Sequence, residues 1–329
     1  MKVNFLSDFI RFRRFINING AMIAAQNQAE AMKKHVSVSI NSSKMDYDLI
    51  HSHGNFLYTY RIMRKARKSD IPIIITAHQT NMDTDISFIF SRSINEIVKQ
   101  YIIRYLKLAD LIICPTENSK KLVKKELEVT EQIRVISNGV DTQNFKKSQK
   151  KRKEFRKRFG INKPTILSVG MPTSRKGFID FIKISKENKK NIYLWVGKRI
   201  FPIIQPNNII NKDNLIMPGY INDIRTAYSA ADIFCFPSYY EGEGLAVLEA
   251  MCSGLPVIIR DLPVFEKRYC DGKNCLKARN NKEFIENIYY LLDNPKEKNR
   301  IIENGLQTVK QFDINKIAFK LYELYKQMV

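Results

Sequence analysis

Residues 236–258 read Phe-Pro-Ser-Tyr-Tyr-Glu-Gly-Glu-Gly-Leu-Ala-Val-Leu-Glu-Ala-Met-Cys-Ser-Gly-Leu-Pro-Val-Ile, and the parsing of the whole chain turns on them. An apolar run ending at Phe236 breaks at Pro237 and enters a loop with glycines at 242 and 244. A helical run over 245–251 follows, stops at Gly254 and gives way to β-branched Val257, Ile258 and Ile259. Strand, loop, helix and strand in that order make a βα unit of a parallel sheet. Two carboxylates mark it, Glu241 in the loop and Glu249 in the helix, with seven residues between them.

The same alternation extends in both directions. Upstream, 165–169 reads as a strand, 170–177 as a loop containing Arg175-Lys176-Gly177, and 178–189 as a helix, followed by strands at 193–197 and 215–217 and a helix over 224–231. In the first half, strands are expected at 2–6, 36–40, 49–51, 71–76, 111–114 and 133–136, with helices at 21–33, 56–68, 95–110 and 119–127. Gly20, at the mouth of its helix, either makes a turn or lets backbone N–H groups approach a phosphate. The run 71–76 is almost wholly apolar, as in a strand buried on both faces. His78 follows at its C-terminal end, the edge where open α/β sheets bind ligands, and reads equally as an active-site or a loop-packing residue. His-Ser-His-Gly at 51–54 lies at another such strand end.

A chain of 329 residues exceeds what one core usually serves. The expected fold is α/β, with two doubly wound Rossmann-like domains facing a central cleft. Residues 1–145 form the first domain and 161–329 the second, whose last helix is able to cross back to the first. The stretch 146–160, dense in Lys and Arg with almost no apolar face, is a linker or surface helix between them.

The net charge is +22, and residues 1–160 hold 30 Lys and Arg against 15 Asp and Glu, so most of the excess sits in the first half. Such a field attracts nucleic acid or an anionic membrane, unless it only keeps a lysine-rich protein soluble. Arg61, Arg64, Lys65, Arg67 and Lys68 interleave with apolar residues in one helix, and Lys99, Arg104 and Lys107 flank another whose apolar side is read as Ile97, Tyr101, Ile102, Tyr105 and Leu108. Both patterns suit helices lying on anionic lipid. Five scattered cysteines predict free thiols and a reducing compartment, and no run of about 18 apolar residues marks a membrane span. The expected location is the cytoplasmic face of the cell membrane, with peripheral contact only.

Five elements in order carry a resemblance: Asn-Gly-Val-Asp at 138–141, Val-Gly followed by Arg-Lys-Gly over 169–177, Pro-Gly-Tyr at 218–220, Tyr-Ser-Ala-Ala-Asp-Ile at 228–233, and Glu-Gly-Glu-Gly-Leu-Ala-Val-Leu-Glu-Ala-Met at 241–251. Together they resemble the retaining GT-B glycosyltransferases of family 4, which use nucleotide-activated sugars. The resemblance implies that Glu241 holds hydroxyls of the transferred sugar and Glu249 the ribose diol, a task that suits a carboxylate accepting two adjacent hydroxyls. It implies that Arg175 and Lys176 meet the diphosphate, where charge grows as the sugar leaves. Gly242, Gly244 and Leu245 join the donor site, Gly20 the loop brought against the phosphates, and His78 the acceptor side. The family offers no enzyme nucleophile, and front-face attack within an ion pair is its usual mechanism. A UDP-sugar is then a co-substrate, no cofactor is tightly bound, and Mg2+ is at most a stimulant without a dedicated protein site. Three departures stand out: Glu243 replaces the aromatic residue common between the loop glycines, Met171 replaces a basic residue, and the N-terminal loop has a single glycine where a pair is common.

Ser-Arg-Lys-Gly-Phe at 174–178 and Arg-Asp-Leu-Pro-Val-Phe-Glu at 260–266 resemble the bacterial glycolipid branch. That branch implies transfer of a hexose, glucose from UDP-glucose, onto monoglucosyl-diacylglycerol to give the diglucosyl lipid. The alternatives are addition of the first sugar to diacylglycerol, a soluble or polyprenyl-linked acceptor, a glycosidase using the two glutamates, and a basic nucleic-acid-binding protein built on 146–158. The last lacks a base-stacking or zinc-finger motif, so no nucleic-acid partner is expected.

Overall fold

The computed structural model describes residues 1–11, 20–54, 56–78, 92–198 and 214–329. Twelve strands are found among them: β1 (Lys2–Leu6), β2 (Ser37–Ile40), β3 (Leu49–Ser52), β4 (Ile73–Thr76), β5 (Leu111–Cys114), β6 (Ile133–Val135), β7 (Thr165–Val169), β8 (Ile192–Val196), β9 (Leu215–Gly219), β10 (Ile233–Phe236), β11 (Val257–Arg260) and β12 (Leu276–Ala278). The helices are α1 (Asp8–Arg11), α2 (Gly20–Met32), α3 (Leu57–Lys68), α4 (Arg92–Leu106), α5 (Glu117–Leu127), α6 (Gln149–Arg158), α7 (Phe178–Glu187), α8 (Arg225–Ala230), α9 (Leu245–Cys252), α10 (Asn281–Asp293), α11 (Pro295–Val309) and α12 (Ile314–Lys326). They divide into two units, Met1–Gly139 with Phe312–Val329, and Val140–Gln311.

In the first unit the strand order is β2-β1-β3-β4-β5-β6, all parallel. Strands β3, β4 and β5 are buried along their whole length because helices cover both faces. One face packs Ile62, Met63 and Ala66 of α3 with Ile102 and Tyr105 of α4. The other packs Ala29 and Met32 of α2 with Ile314, Ile317 and Leu321 of α12. Ile97 departs from the apolar side expected of it and is 68% exposed. At 3.6 residues per turn it lies roughly 140° round the helix from Ile102, on the face away from the core.

The second unit has the order β12-β11-β10-β7-β8-β9, again parallel. Its core is aromatic, with Trp195 edge-on to Phe178 and Phe181 at 5.0 and 5.2 Å. Side chains of this kind each stabilise the fold by roughly 1.5–3 kcal/mol on full burial. Counted within this unit the order is 3-2-1-4-5-6, so direction reverses between β7 and β10. The loops that leave these two strands flank the crevice where such sheets bind ligands.

The basic stretch before β7 folds as α6 and belongs to the second unit. Arg152 donates to the carbonyls of Ala230 and Ala231 at 2.8 and 2.9 Å and pairs with Asp232 at 2.7 Å. Arg156 reaches Ala230 and Asp232 as well. These guanidiniums satisfy the open carbonyls at the C-terminus of α8, where a cation is favoured. Cys114, Cys235, Cys252 and Cys275 are buried, Cys270 is exposed, and all five are free thiols.

Candidate active site

The loop after β7 carries Arg175 and Lys176, and the loop after β10 carries Glu241. Two hydrogen bonds join them: Tyr239 N–H donates to the Arg175 carbonyl at 2.8 Å, and the Arg175 guanidinium donates to the Tyr240 carbonyl at 3.0 Å. Gly177 makes the approach possible. Its φ is +72°, and a Cβ there would overlap the Pro237 carbonyl. Arg260, at the end of β11, ties the loop after β10 to α7. It donates to the Pro237 carbonyl at 3.0 Å, pairs with Asp180 of α7 at 3.1 Å, and stacks 3.9 Å from the Tyr239 ring.

Lys176 Nζ lies 2.6 Å from Glu241 Oε1, and the Ser238 hydroxyl donates to the same oxygen at 2.7 Å. Both partners of the ion pair are largely buried, which strengthens their attraction beyond that of a surface pair. Gly244 caps α9 in the left-handed conformation, so the chain turns directly from the loop into the helix that holds Glu249. The first N–H groups of α9, from Leu245 onward, open toward this edge as helix N-termini do for anions. Glu249 is buried and accepts a hydrogen bond from the Tyr228 hydroxyl at 2.7 Å. Burial pushes its carboxyl up to about 7, while the Tyr228 bond acts in the opposite direction.

Glu243 points inward. It is a buried residue, and its carboxylate pairs with Arg268 at 2.9 Å. The side chain between the two loop glycines is therefore committed to a salt bridge inside the unit.

Thus Arg175, Lys176, Glu241, Gly242, Gly244, Leu245 and Glu249 gather on the second unit's switch point, while Gly20 and His78 belong to the first. Gly20 is the first residue of α2, and a Cβ added there meets none of the described residues within 4 Å. His78 follows β4, with Nε2 2.8 Å from His53 Nδ1. Burial holds the His78 ring down to about 4. Arg61, Arg64, Lys65, Arg67 and Lys68 are all exposed on α3, Arg67 in an ion pair with Asp110. Arg104 and Lys107 are exposed and Lys99 is half-buried. Among the described residues no group of three or more His, Cys, Asp or Glu could hold a metal ion.

Ser238, Tyr228, Arg260 and Arg268 were not assigned roles from sequence. Ser238 stands three residues before Glu241, a spacing that would have flagged it, and Tyr228 opens the Tyr-Ser-Ala-Ala-Asp-Ile motif. Arg260 opens the motif at 260–266, which named no role for it, and nothing local marks Arg268.

Two family models match the chain, Glycosyl transferases group 1 over residues 149–308 and Glycosyltransferase Family 4 over 18–144. The chain is 34% identical over 294 residues to the processive diacylglycerol alpha-glucosyltransferase of Acholeplasma laidlawii, covering 87% of each. It is 27% identical to an Escherichia coli UDP-Gal:alpha-D-GlcNAc-diphosphoundecaprenol alpha-1,3-galactosyltransferase, covering 91% of this chain and 80% of the other. Among solved structures, Anabaena HepE in complex with UDP and glucose superposes with a TM-score of 0.80 at 18% identity, over 99% of this chain and 100% of that one.

Proposed function

The chain belongs to glycosyltransferase family 4 and has the GT-B fold, and from that membership we propose that it transfers glucose from UDP-glucose to monoglucosyl-diacylglycerol with retention of configuration, giving diglucosyl-diacylglycerol. The observation that carries the donor half is the Lys176–Glu241 pair at the switch point. It is a cation and a carboxylate held together until a ligand offers each a better partner. On donor binding, Lys176 exchanges Glu241 for the diphosphate, and Glu241 turns its oxygens to sugar hydroxyls. Arg175 shares the diphosphate, and Glu249 accepts the ribose diol. The bond from glucose C1 to the β-phosphate oxygen breaks, the acceptor hydroxyl joins C1 on the same face, and its proton passes to the departing phosphate. Lys176 and Arg175 meet negative charge that grows along this path, so they stabilise the transition state more than the bound substrate.

The acceptor half is supported by likeness to the Acholeplasma enzyme, whose name specifies diacylglycerol and alpha-glucosyl transfer. UDP-glucose carries an α-linkage, so an α-product requires retention. The same name favours a second reading in which this chain adds glucose first to diacylglycerol and then to its own product. Among the described residues no helix is long and apolar enough to cross a membrane. The lipid is reached peripherally from the cytoplasmic face, through the outward basic side of α3 and the end of α4, each charge contributing about 1 kcal/mol on anionic lipid.

Mass spectrometry of products tests this directly. UDP-glucose and UDP-galactose are each offered with diacylglycerol, monoglucosyl-diacylglycerol and a polyprenyl-diphosphate sugar in anionic vesicles. A diglucosyl lipid from the monoglucosyl acceptor is expected. Both products from diacylglycerol alone would establish the second reading, and transfer only to the polyprenyl acceptor would overturn both.

A further inference from the structure

In the first unit, β2 lies on one side of β1 while β3 to β6 run on the other, so the strand order turns between β1 and β3. The chain leaves β3 through His53 and Gly54. Gly54 lies so close to Asp8, just past β1, that a Cβ would overlap the Asp8 carboxylate. Three histidines meet here. His51 has both ring nitrogens engaged, Nδ1 with the Tyr325 hydroxyl at 2.6 Å and Nε2 with Thr76 Oγ1 at 2.7 Å. The His53 ring lies 4.4 Å from that of His51, tilted against it, and 5.9 Å from that of Phe5, near parallel to it, and its Nδ1 lies 2.8 Å from His78 Nε2. His53 is 2% exposed, and its Nε2 has no hydrogen-bond partner among the described residues. His78 is the more open ring.

One proton lies between His53 Nδ1 and His78 Nε2, and it can belong to either. If His78 donated it, neutral His53 would carry its own proton on Nε2, a buried N–H without an acceptor. If His53 donates it, Nε2 is a bare lone pair, and no buried donor is left unmade. Orphaned N–H groups are the rarer and costlier fault. The neighbouring groups do not support a charged ring. The Asp8 carboxylate is engaged by the Phe56 and Thr59 N–H groups and the Thr59 hydroxyl at the start of α3. Tyr325 and Thr76 serve His51, and the Tyr105 hydroxyl serves Ser52 and Gly54. Burial lowers the pKa of all three histidines.

We propose that His53 is a positioning residue that fixes His78 as the neutral Nδ1–H tautomer, so that His78 serves the substrate as a hydrogen-bond donor and not as a proton acceptor. The role of His78 rests on the glycosyltransferase reading above, in which it lines the acceptor side. Its Nε2 lone pair is occupied by His53, and its Nδ1–H is what remains to offer a substrate oxygen. This agrees with a mechanism in which the acceptor proton leaves on the phosphate.

Long-range 1H–15N correlation spectra of the full-length protein, labelled at histidine, read the tautomer without reference to activity. Nδ1 of His78 is expected to bear the proton at pH 7. A proton on Nε2 overturns the proposal whatever the turnover. Activity then separates the roles. His53→Asn, whose amide nitrogen stands where His carries Nδ1, is expected to keep the His78 tautomer and near-normal turnover. His53→Phe is expected to give a tautomer mixture and to lower kcat about 10- to 100-fold with KM for UDP-glucose unchanged, the scale of a misoriented reacting group. Equal loss in the Asn and Phe variants, with the tautomer intact in both, would overturn the positioning role. Full activity of His78→Phe would overturn the acceptor-side reading while leaving the tautomer assignment standing. Should His53→Phe not fold, the wild-type spectrum and His53→Asn still decide the matter.

Discussion

The carboxyl edges of the two sheets occupy the same topological place and carry opposite chemistry. In the second unit the edge is ionic: Lys176 pairs with Glu241, Arg260 with Asp180 and Arg268 with Glu243, all with little exposure. Among the described residues of the first, the ends of β3 and β4 bring together three histidine rings and two hydroxyls, beside one carboxylate consumed by the start of α3. Parallel sheets supply the crevice in both cases, and the residues at the strand ends decide what the crevice can hold. An edge of exchangeable ion pairs suits an anionic diphosphate and a ribose. An edge of uncharged rings can direct a hydroxyl without attracting the phosphates to itself.

The comparison breaks most visibly if every ion pair of the second unit is treated as functional, because Glu243 and Arg268 are expected to be structural. Removing one partner of a buried pair leaves the other charge uncompensated and costs about 3–5 kcal/mol. Glu243→Ala should therefore lower unfolding stability by that amount in denaturant titration, and Glu243→Leu combined with Arg268→Met should recover most of it. A loss of turnover in Glu243→Ala without any loss of stability would return Glu243 to the sugar-binding residues.

Lys176→Ala should add a kinetic loss to a structural one. It leaves the buried Glu241 carboxylate with the Ser238 hydroxyl but without its cation, so the donor-free protein should lose stability as well. Turnover should fall about 10²- to 10³-fold, the scale of one lost donor to developing charge. Steady-state kinetics together with thermal unfolding separates the two outcomes. A variant that keeps turnover would show that the switch-point cation is not on the reaction path.

The alternation of strands and helices was legible because each parallel strand is a short apolar run and each helix repeats its apolar positions at helical spacing. The exposed basic face of α3 was legible for the same reason. What the sequence concealed depends on partners far along the chain. Glu243 was visible as a departure, but its direction is set by Arg268, 25 residues later. The stretch before β7 reads as a linker or surface helix from its charge, which does not disclose that Arg152 and Arg156 close α8 some 74–80 residues away. Ile97 was assigned to an apolar side by its class, whereas the helix turns it outward. His53 attracted no role at all, since a histidine beside a strand end has no signature until a second histidine is brought against it.

The smallest of these effects sharpens the ionic side of the comparison through Glu249. Its carboxyl titrates near 7 because burial disfavours the charge, against an ordinary value of 4.5. The folded protein thus binds a proton that the unfolded chain has released between these values, so this group's contribution to stability is full below 4.5 and is lost as pH rises through 7. A ribose diol donating two hydrogen bonds requires the ionised form and pulls the carboxyl back down. Binding should release this proton, and the association constant for UDP-glucose should rise with pH up to about 7, by at most about tenfold per unit, or about 1.4 kcal/mol, and then level off. UDP-glucose is the probe of choice because its diphosphate, esterified at both ends, has no second ionisation in that range, whereas a terminal phosphate does, near 6. Calorimetry in buffers of different ionisation enthalpy counts the proton directly. Glu249→Gln should bind more weakly at pH 8 and flatten the profile. An unchanged slope in that variant would mean that the proton comes from elsewhere and that Glu249 does not hold the ribose.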